Sequence, residues 1–417
     1  MTEFCDISLE MTLDSSSRES ETTNSGSRNI AVIGATGSIG TSALDVIGES
    51  RGRLRASVLA ANQSVVKLVE LALRFKPDVV VVNDLNADRS PLSQLPKDVE
   101  VLFGPDALDE VVRRPEIDVV LLSVVGVAGL RTAWSALEAG KTLALANKEA
   151  LVAGGPLVAD LLETRGGKLI PVDSEHSAIY QCLLSRRESP RTPKIISDDV
   201  RRLILTASGG PFRTWSPERL KDVTVADALR HPTWNMGAKI TIDSATTMNK
   251  ALEIIEARWL FGVDPDLIQV AIHPQSVVHS MVEFVDGAVL AQMSPPDMRL
   301  PIQFALYETR RFPGPTRKFD WTQFFNLEFY PPDFERFPAM KLGFEVAKAG
   351  GTAGVVLNAA NEVAVEAFRN GRLTFDKIPA LCRQTLESHD YDASPSLNCI
   401  FELDSWARKE TEKWISR

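Results

Sequence analysis

Two carboxylates stand two residues apart directly after a run of apolar residues. They are Asp173 and Glu175, and the strand-like segment 168–172 precedes them. Side chains two apart in an extended segment point the same way, so both carboxylates can face one point. Such groups repel each other unless a cation or a proton lies between them, and oxygen-only ligands suit Mg²⁺ or Mn²⁺. The structural alternative is a solvated acidic pair at the end of a strand.

A further carboxylate lies in a segment that begins with typical helix-capping residues, Asp243 and Ser244, which predict a helix from this point. On that helix Asn249, Lys250 and Glu253 would be neighbours, because positions three and four apart meet. Lysine beside Asn and Ser near a helix start can bind a phosphate, and Glu253 could add a third metal ligand. An amphipathic helix with a Lys–Glu surface pair is the alternative.

Two predicted loops combine glycine or proline residues, which interrupt helices and strands, with polar side chains. Ser208 opens a glycine turn at the end of an apolar run, which predicts an anion cradle. The loop 231–237 carries Trp234 and Met236 without apolar periodicity, a pattern that favours a lid over a ligand, although a loop anchored on the core would look the same. His273 and His279 are interpreted as core or supporting residues.

A glycine turn occupies residues 34–40, between an apolar strand and a predicted helix over 41–47. Glycines let the backbone turn tightly and approach a pyrophosphate, and the helix start supplies N–H groups. The spacing GxxGxxG is only moderately specific, so its strand-before, helix-after context carries the prediction of a dinucleotide site. A tight strand-to-helix turn without a ligand is the alternative.

The end of the second predicted strand indicates which dinucleotide binds. An NAD site usually places Asp or Glu there, against the ribose 2′-hydroxyl. This chain has Asn62-Gln63-Ser64 instead. No carboxylate would repel a 2′-phosphate, which favours NADP(H), but no arginine is present to bind it either.

Short β-branched runs alternate with longer amphipathic stretches from Asn29 to about Pro171. Helices are predicted at 65–75, 106–112 and 130–139, and strands at 29–33, 56–60, 79–82, 119–125, 142–146 and 168–171. Strands that alternate with crossover helices indicate an α/β fold with a Rossmann-like parallel sheet covered on both faces.

After Asp173 the sequence pattern changes. Strand-like runs at 203–207, 270–272, 277–284 and 288–292 mix with Pro- and Trp-rich loops, which indicates a central α+β catalytic domain. Prolines concentrated between 295 and 337 predict a surface linker with little regular structure. From Ala339 onward the sequence indicates a C-terminal helical domain.

Composition limits the classes of function. The 417 residues carry a net charge of −9, which argues against general nucleic-acid binding. The four cysteines show no CxxC pair, as expected of a reduced, cytoplasmic protein. Residues 1–28 have no apolar core of a signal peptide and are predicted to be a disordered tail. The longest apolar run, 119–130, is shorter than the roughly 20 residues that span a bilayer, so no membrane association is expected.

Taken together, these blocks in this order closely resemble the 1-deoxy-D-xylulose 5-phosphate reductoisomerase family. The motifs lie at 34–40, 146–149, 171–176, 207–212, 231–237, 243–253 and 273–282, and the resemblance runs from about Asn29 to the C-terminus. It implies a homodimer that uses NADPH and Mg²⁺, Mn²⁺ or Co²⁺ to convert 1-deoxy-D-xylulose 5-phosphate, a small sugar phosphate, to 2-C-methyl-D-erythritol 4-phosphate in non-mevalonate isoprenoid synthesis. The implied domains are 29–173 for NADPH, 174–300 for metal and substrate, a linker at 301–337 and a helical domain at 338–417.

The resemblance also implies a role for each matching residue. The metal ligands would be Asp173, Glu175 and Glu253, which together with Lys148 near the reacting carbons form the catalytic set. Substrate would be bound by Lys148, Ser174, Glu175, Ser208, His231, Ser244, Asn249, Lys250 and Glu253. NADPH would contact Thr36, Gly37, Ser38, Ile39, Asn62, Asn147, Glu149 and Gly237. The chain departs from the family at 62–64, where many members have Gly, a basic residue and Asn.

The implied chemistry is a skeletal rearrangement, retro-aldol then aldol, followed by hydride transfer from NADPH. A semialdehyde dehydrogenase shares the glycine turn but needs a nucleophilic cysteine in a sharp turn, whereas Cys182 lies in a helical-looking stretch. A non-catalytic NADP-binding protein would have no need for three convergent carboxylates.

Overall fold

The structure is a computed structural model that describes residues 27–184, 194, 198–323 and 326–416. Most of the predicted tail, residues 1–26 with Cys5, lies outside the described residues. Arg28 was predicted to belong to that tail but already forms part of the first strand and pairs with Glu308 at 2.6 Å. No helix in the described ranges has both the length and the apolar character needed to cross a membrane.

The N-terminal part is a parallel sheet with crossover helices, as predicted. Within the described residues the sheet has seven strands in the order β4-β3-β2-β1-β5-β6-β7. Its elements are β1 (Arg28–Ile33), α1 (Ser38–Gly48), β2 (Leu54–Ala61), α2 (Val65–Phe75), β3 (Val79–Val82), β4 (Glu100–Phe103), α3 (Pro105–Arg113), β5 (Val119–Leu122), α4 (Gly129–Glu138), β6 (Thr142–Leu145), α5 (Lys148–Thr164) and β7 (Lys168–Pro171).

Burial explains why most of these strands could be predicted from the sequence. Every residue of β3, β5 and β6 is buried, so these strands are continuous apolar runs, as strands covered on both faces must be. The strand β4 escaped prediction because it lies at the sheet edge and is only partly covered. The strand order reverses between β1 and β5, and ligands of such sheets bind outside the carboxyl ends at this switch point.

The central part contains a mixed sheet in the order β11-β10-β8-β9, in agreement with the α+β prediction. The strands β8 and β9 are parallel, whereas β10 is antiparallel to both β8 and β11. The elements are α6 (Ser174–Cys182), β8 (Val200–Ala207), α7 (Pro217–Leu220), α8 (Val225–Ala228), α9 (Ala238–Thr246), α10 (Met248–Phe261), β9 (Ile268–Ile272), β10 (Val278–Phe284), β11 (Val289–Met293) and α11 (Arg299–Leu306).

The helix α11 corrects the prediction of little regular structure between 295 and 337. Pro301 stands at its third residue, where a helix has no N–H bond to lose, so this proline does not break the helix. The described residues after it form no further helix until α12. The C-terminal part is helical as predicted, with α12 (Ala339–Ala349), α13 (Ala353–Arg369), α14 (Ile378–Glu387) and α15 (Leu397–Ile415).

The glycine turn joins β1 to α1 and is hydrogen-bonded to β2. The N–H groups of Gly34 and Ala35 both donate to the carbonyl of Ala60, at 3.0 and 2.8 Å. Gly34 has φ of 93°, which favours glycine. A β-carbon on Gly40 would stand 2.3 Å from the carbonyl oxygen of Gly34, so the closeness of turn and helix depends on this glycine.

We expect Gly40→Ala to lower the free energy of unfolding by about 1–3 kcal/mol, because the added methyl overlaps backbone atoms that cannot yield. Chemical denaturation of the cofactor-free protein measures this. Gly37→Ala is the matched control, since a β-carbon there would lie 3.4 Å from the nearest atom, in ordinary contact. Equal stability of the two variants would contradict the packing described for the turn.

Candidate active site

A cleft of about 660 Å³ opens where the carboxyl ends of the parallel sheet face the mixed sheet and the helices α9 and α10. Its walls contain every residue predicted to bind substrate or metal. These are Lys148, Asp173, Ser174, Glu175, Ser208, His231, Ser244, Asn249, Lys250 and Glu253.

Asp173 and Glu175 converge as predicted, but through a different local structure. Asp173 is the N-cap of α6, where its carboxylate accepts from the Ser174 N–H at 3.0 Å, and Glu175 lies in the first turn of that helix. The prediction of an extended segment was therefore wrong. The helix begins at Ser174, directly after Asp173, because Asp is a strong N-cap. Both carboxylates therefore lie at a helix N-terminus, where the dipole favours negative charge.

The segment that carries Glu253 also differs from the prediction. Asp243 and Ser244 do not cap a helix: they lie in the last turns of α9, and a new helix, α10, begins at Met248. Thr247 between them has φ of 63°, a left-handed conformation that redirects the chain. The break lets Ser244 from one helix and Asn249, Lys250 and Glu253 from the next line the same cleft.

Three carboxylates meet at the floor of the cleft. One oxygen each from Asp173, Glu175 and Glu253 lies within 4.8 Å of the others, which is close enough to share one ion. Two buried ammonium groups stand among them. Lys148 contacts Asp173 and lies 3.1 Å from Glu253. Lys250 lies 2.8 Å from Glu175 and also contacts Glu253.

This mixture of charges shifts the pKa values in opposite directions. Burial and the negative charge of Glu175 raise the pKa of Glu253 to about 7. Burial also opposes the ionisation of Glu175, but the ammonium groups of Lys250 and Lys148 outweigh it and lower the pKa of Glu175. Burial opposes the charge on Lys148 as well, yet Asp173 and Glu253 raise the pKa of Lys148 well above its ordinary value. Burial likewise opposes the charge on Lys250, but Glu175 and Glu253 outweigh it and raise the pKa of Lys250. Both lysines therefore stay protonated and balance the carboxylates.

A buried pair behind the carboxylates was missed by the sequence reasoning. The Nδ1 atom of His176 lies 3.1 Å from Glu256, and its Nε2 lies 2.9 Å from the carbonyl oxygen of Glu253. Burial lowers the pKa of His176 to about 4, while burial and the charge of Asp173 raise the pKa of Glu256 well above its usual range. Burial thus favours the neutral form of both groups, which places a protonated Glu256 next to the unprotonated Nδ1 of His176. In the sequence, the only indication of this pair was that Glu256 lies one helical turn after Glu253, on the same face of the helix.

The polar wall above the carboxylates is built from the second glycine turn and the loop 231–237. Gly209 and Gly210 both have positive φ, which confirms the tight turn, and the Gly210 N–H donates to Ser208 Oγ at 3.2 Å. His231 accepts from the Trp234 N–H at Nδ1, so its Nε2 carries the proton and donates to Ser208 at 3.1 Å.

The same loop places Trp234 and Met236 in the cleft wall. The indole ring of Trp234 lies 6.2 Å from the ring of His279, which is buried and bound to Ser294. His273 accepts from the N–H groups of Val277 and Val278 and is fully buried. His273 thus has the core role that was predicted. His279 is buried too, although its side chain reaches the edge of the cleft.

The residues predicted to contact NADPH divide into two groups. Ser38, Ile39 and Gly237 line the cleft, and Thr36 and Gly37 belong to the glycine turn beside it. The other three belong neither to the lining of the cleft nor to the glycine turn. Asn147 caps α5 and donates to the carbonyls of Val124 and Gly126, Glu149 pairs with Lys239 at 3.3 Å, and Asn62 is exposed at the end of β2.

Comparison with known proteins agrees with this geometry over nearly the whole chain. A family model for 1-deoxy-D-xylulose 5-phosphate reductoisomerase matches residues 30–155, and models for its C-terminal domains match residues 169–261 and 293–410. The chain belongs to the 1-deoxy-D-xylulose 5-phosphate reductoisomerase family.

Named reductoisomerases are close in sequence. The one from Rhodopirellula baltica is 47% identical over 431 aligned residues, which cover 93% of this chain and 94% of that protein. The one from Chloroherpeton thalassium is 47% identical over 383 residues, covering 92% and 97%.

Solved reductoisomerase structures share the fold. The enzyme from Zymomonas mobilis in complex with NADPH has a TM-score of 0.85 and 41% identity, covering 93% of this chain and 99% of that one. A reductoisomerase in complex with NADPH, fosmidomycin and magnesium has a TM-score of 0.85 and 38% identity, covering 93% and 98%.

The neutral state of Glu256 can be tested on two variants. Glu256→Gln keeps a donor toward His176, so we expect stability and kcat/KM within about threefold of the parent protein. Glu256→Leu leaves Nδ1 of His176 without a donor in a buried site, which should cost about 1–3 kcal/mol of unfolding free energy. Denaturant titration and steady-state kinetics measure both. A Gln variant as damaged as the Leu variant would indicate that Glu256 acts as an ionised group.

Proposed function

We infer that the chain converts 1-deoxy-D-xylulose 5-phosphate to 2-C-methyl-D-erythritol 4-phosphate with NADPH and a divalent metal, in the non-mevalonate route to isopentenyl diphosphate. It is an NADP-dependent oxidoreductase. The observation that carries this is the meeting of Asp173, Glu175 and Glu253 in a cleft that also reaches the glycine turn. The alternative of a cysteine-dependent dehydrogenase is not supported, because Cys182 is not among the cleft residues and burial raises the pKa of its thiol to about 11.

The three carboxylates are the residues that would hold the metal. Their oxygen-only donor set suits Mg²⁺, and it suits Mn²⁺ and Co²⁺ as replacements. The site is already arranged for cations, since Lys148 and Lys250 place ammonium groups among the same oxygens. When bound, a divalent ion supplies Lewis-acid polarisation of the substrate oxygens.

The substrate phosphate would bind on the polar wall next to the carboxylates, where Asn249 also donates to Glu253. Ser208 and Ser244 contribute hydroxyls there, Asn249 an amide, and His231 an Nε2–H that already donates to Ser208. Lys250 reaches from this wall to Glu175, so it connects phosphate binding with the metal ligands. Ser174 contacts Glu175 and is placed to bind a substrate hydroxyl.

Lys148 is the cation best placed beside the reacting carbons. It begins α5 at the carboxyl end of β6 and lies 2.8 Å from Asn249 and 3.1 Å from Glu253. Its raised pKa keeps it protonated, so it can stabilise oxygen anions during the rearrangement. Trp234 and Met236 then cover the reactants and exclude water as the loop 231–237 closes.

NADPH would enter from the glycine turn, with its pyrophosphate on the N-terminus of α1 and contacts from Thr36, Gly37, Ser38 and Ile39. Gly237 flanks the cleft on the side of α9. Asn147 and Glu149 would act from the start of α5, and Asn62 from the end of β2. The protein positions the hydride donor, and the hydride chemistry belongs to the cofactor.

The division into domains at 29–173, 174–300, 301–337 and 338–417 remains part of this proposal, with the first two meeting at the cleft. A cytoplasmic location is proposed because Cys182, Cys382 and Cys399 are unpaired, as in a reducing compartment.

Glu253→Gln should lower turnover by about 100-fold or more, because the amide removes one of the three metal-binding charges. The affinity for NADPH should stay within about twofold, because Glu253 is not among the residues proposed to contact the cofactor. NADPH oxidation with the pentulose phosphate and fluorescence titration of NADPH measure the two effects. EDTA should stop the parent protein, and Mg²⁺, Mn²⁺ or Co²⁺ should restore it. Turnover that resists EDTA, or joint loss of NADPH binding in the variant, would contradict the role of Glu253.

We also propose that two copies associate through the outer edge of β11. This strand ends the mixed sheet, and no other described strand pairs with its outer side. Val289 and Leu290 are 49% and 47% exposed on its two faces, and Val285 before it is 62% exposed. An uncovered apolar strand edge is a template for pairing, and a two-fold axis would let the two edges pair with each other.

The double substitution Val289→Lys, Leu290→Lys should convert a dimer to a monomer, because lysines on an edge strand block pairing. Light scattering during size exclusion measures the mass. Leu73→Lys is the matched control, since Leu73 is similarly exposed, at 45%, but lies on α2. A monomeric parent protein, or a double variant that stays dimeric, would refute this interface.

A further inference from the structure

The end of β2 carries neither a cation nor a carboxylate for the cofactor's ribose. Asn62 accepts from the Asn83 amide at 2.9 Å, and Gln63 donates to Asp84 at 2.6 Å. Both side chains are therefore held against the end of β3 and offer no positive charge. A protein that prefers NADPH needs a cation near this point, because a 2′-phosphate carries about −1.5 to −2 charges.

Lys67, in the first turn of α2, places a cation near the end of β2. It is the third residue of α2, and its ammonium group donates to the carbonyl of Thr36 at 2.8 Å. Helix side chains lean toward the N-terminus, so the side chain runs back across the start of α2 to the glycine turn. The ammonium thus lies between the ends of β1 and β2, where the adenosine ribose of a dinucleotide binds.

The remaining bonding capacity of Lys67 suits a phosphate. An ammonium has three donors and Thr36 takes one of them. No carboxylate forms an ion pair with Lys67 among the residues that the structure describes. Asp84 is the acidic group at the end of β3, and its carboxylate accepts from the Asn86 N–H and from Gln63, which lower its pKa.

We propose that Lys67 binds the 2′-phosphate of NADPH and determines the preference of this protein for NADPH over NADH. The cation replaces the basic residue that the sequence lacks at 62–64, and the first-turn N–H groups of α2 assist it. This inference rests on the proposed use of NADPH and names the residue that selects it.

The test compares Lys67→Met with Lys67→Arg by measuring the dissociation constants of NADPH and NADH through quenching of tryptophan fluorescence. The Met variant should weaken NADPH binding roughly 10- to 100-fold, as expected for loss of a charge-assisted bond, and leave NADH within about twofold. The Arg variant should retain NADPH selectivity. Lys97→Met is the matched control, because Lys97 is an exposed lysine of the same domain, and it should change neither constant.

Each other outcome has a distinct meaning. Equal weakening of NADPH and NADH by Lys67→Met would show that Lys67 only supports the glycine turn through Thr36, and would overturn the proposal. Unchanged binding of both would overturn it too. Failure of the parent protein to bind either nucleotide would instead contradict the proposed function itself.

Discussion

The active site depends on holding three carboxylates together in a buried place, where their mutual repulsion would otherwise drive them apart. Asp173 and Glu175 come from the start of α6 and Glu253 from α10, so neither helix alone could bring all three together. Lys148 and Lys250 offset the repulsion from within the cluster. A divalent ion among the same oxygens would take over this role and leave the ammonium groups to the substrate's anionic oxygens. The same two lysines thus balance the carboxylate cluster, and in the proposed reaction they would also bind the substrate.

Such a cluster needs rigid neighbours, and the C-terminal helices provide them. The helix α12 packs so closely on α10 that a β-carbon at Gly343 would lie 2.5 Å from Ala251 Cα. On the other side, Asn361 of α13 donates to Asp243 at 2.9 Å, and Asp243 pairs with Lys239 at 2.8 Å. Lys239 in turn reaches Glu149, next to Lys148. The helical domain therefore fixes both α10, which carries Glu253, and the first turn of α5, although it contributes no described residue to the cleft itself.

Much of this could be predicted from the sequence where a single physical effect dominates. Fully buried parallel strands are apolar runs, so all but the edge strand β4 were identified, and glycine turns with positive φ were recognisable at 34–40 and at Gly209-Gly210. Prediction failed where tertiary contacts decide between local options. Asp243 resembles a helix cap, yet its buried pairing with Lys239 and Asn361 makes it part of α9. The partnership of His176 with Glu256 depends on how α6 meets α10, which local sequence does not specify.

In the proposed reaction, the substrate phosphate and the cofactor 2′-phosphate would meet lysines in different environments. Lys250 is almost fully buried and pairs with carboxylates, so a substrate phosphate would have to compete with Glu175 and Glu253 for its charge. That competition would couple phosphate binding to the arrangement of the proposed metal ligands. Lys67 is exposed and is held by one carbonyl, so it can bind the cofactor with little rearrangement. A buried, shared lysine suits an interaction that must change during the reaction, whereas an exposed lysine suits the discrimination of a cofactor that only has to bind and leave.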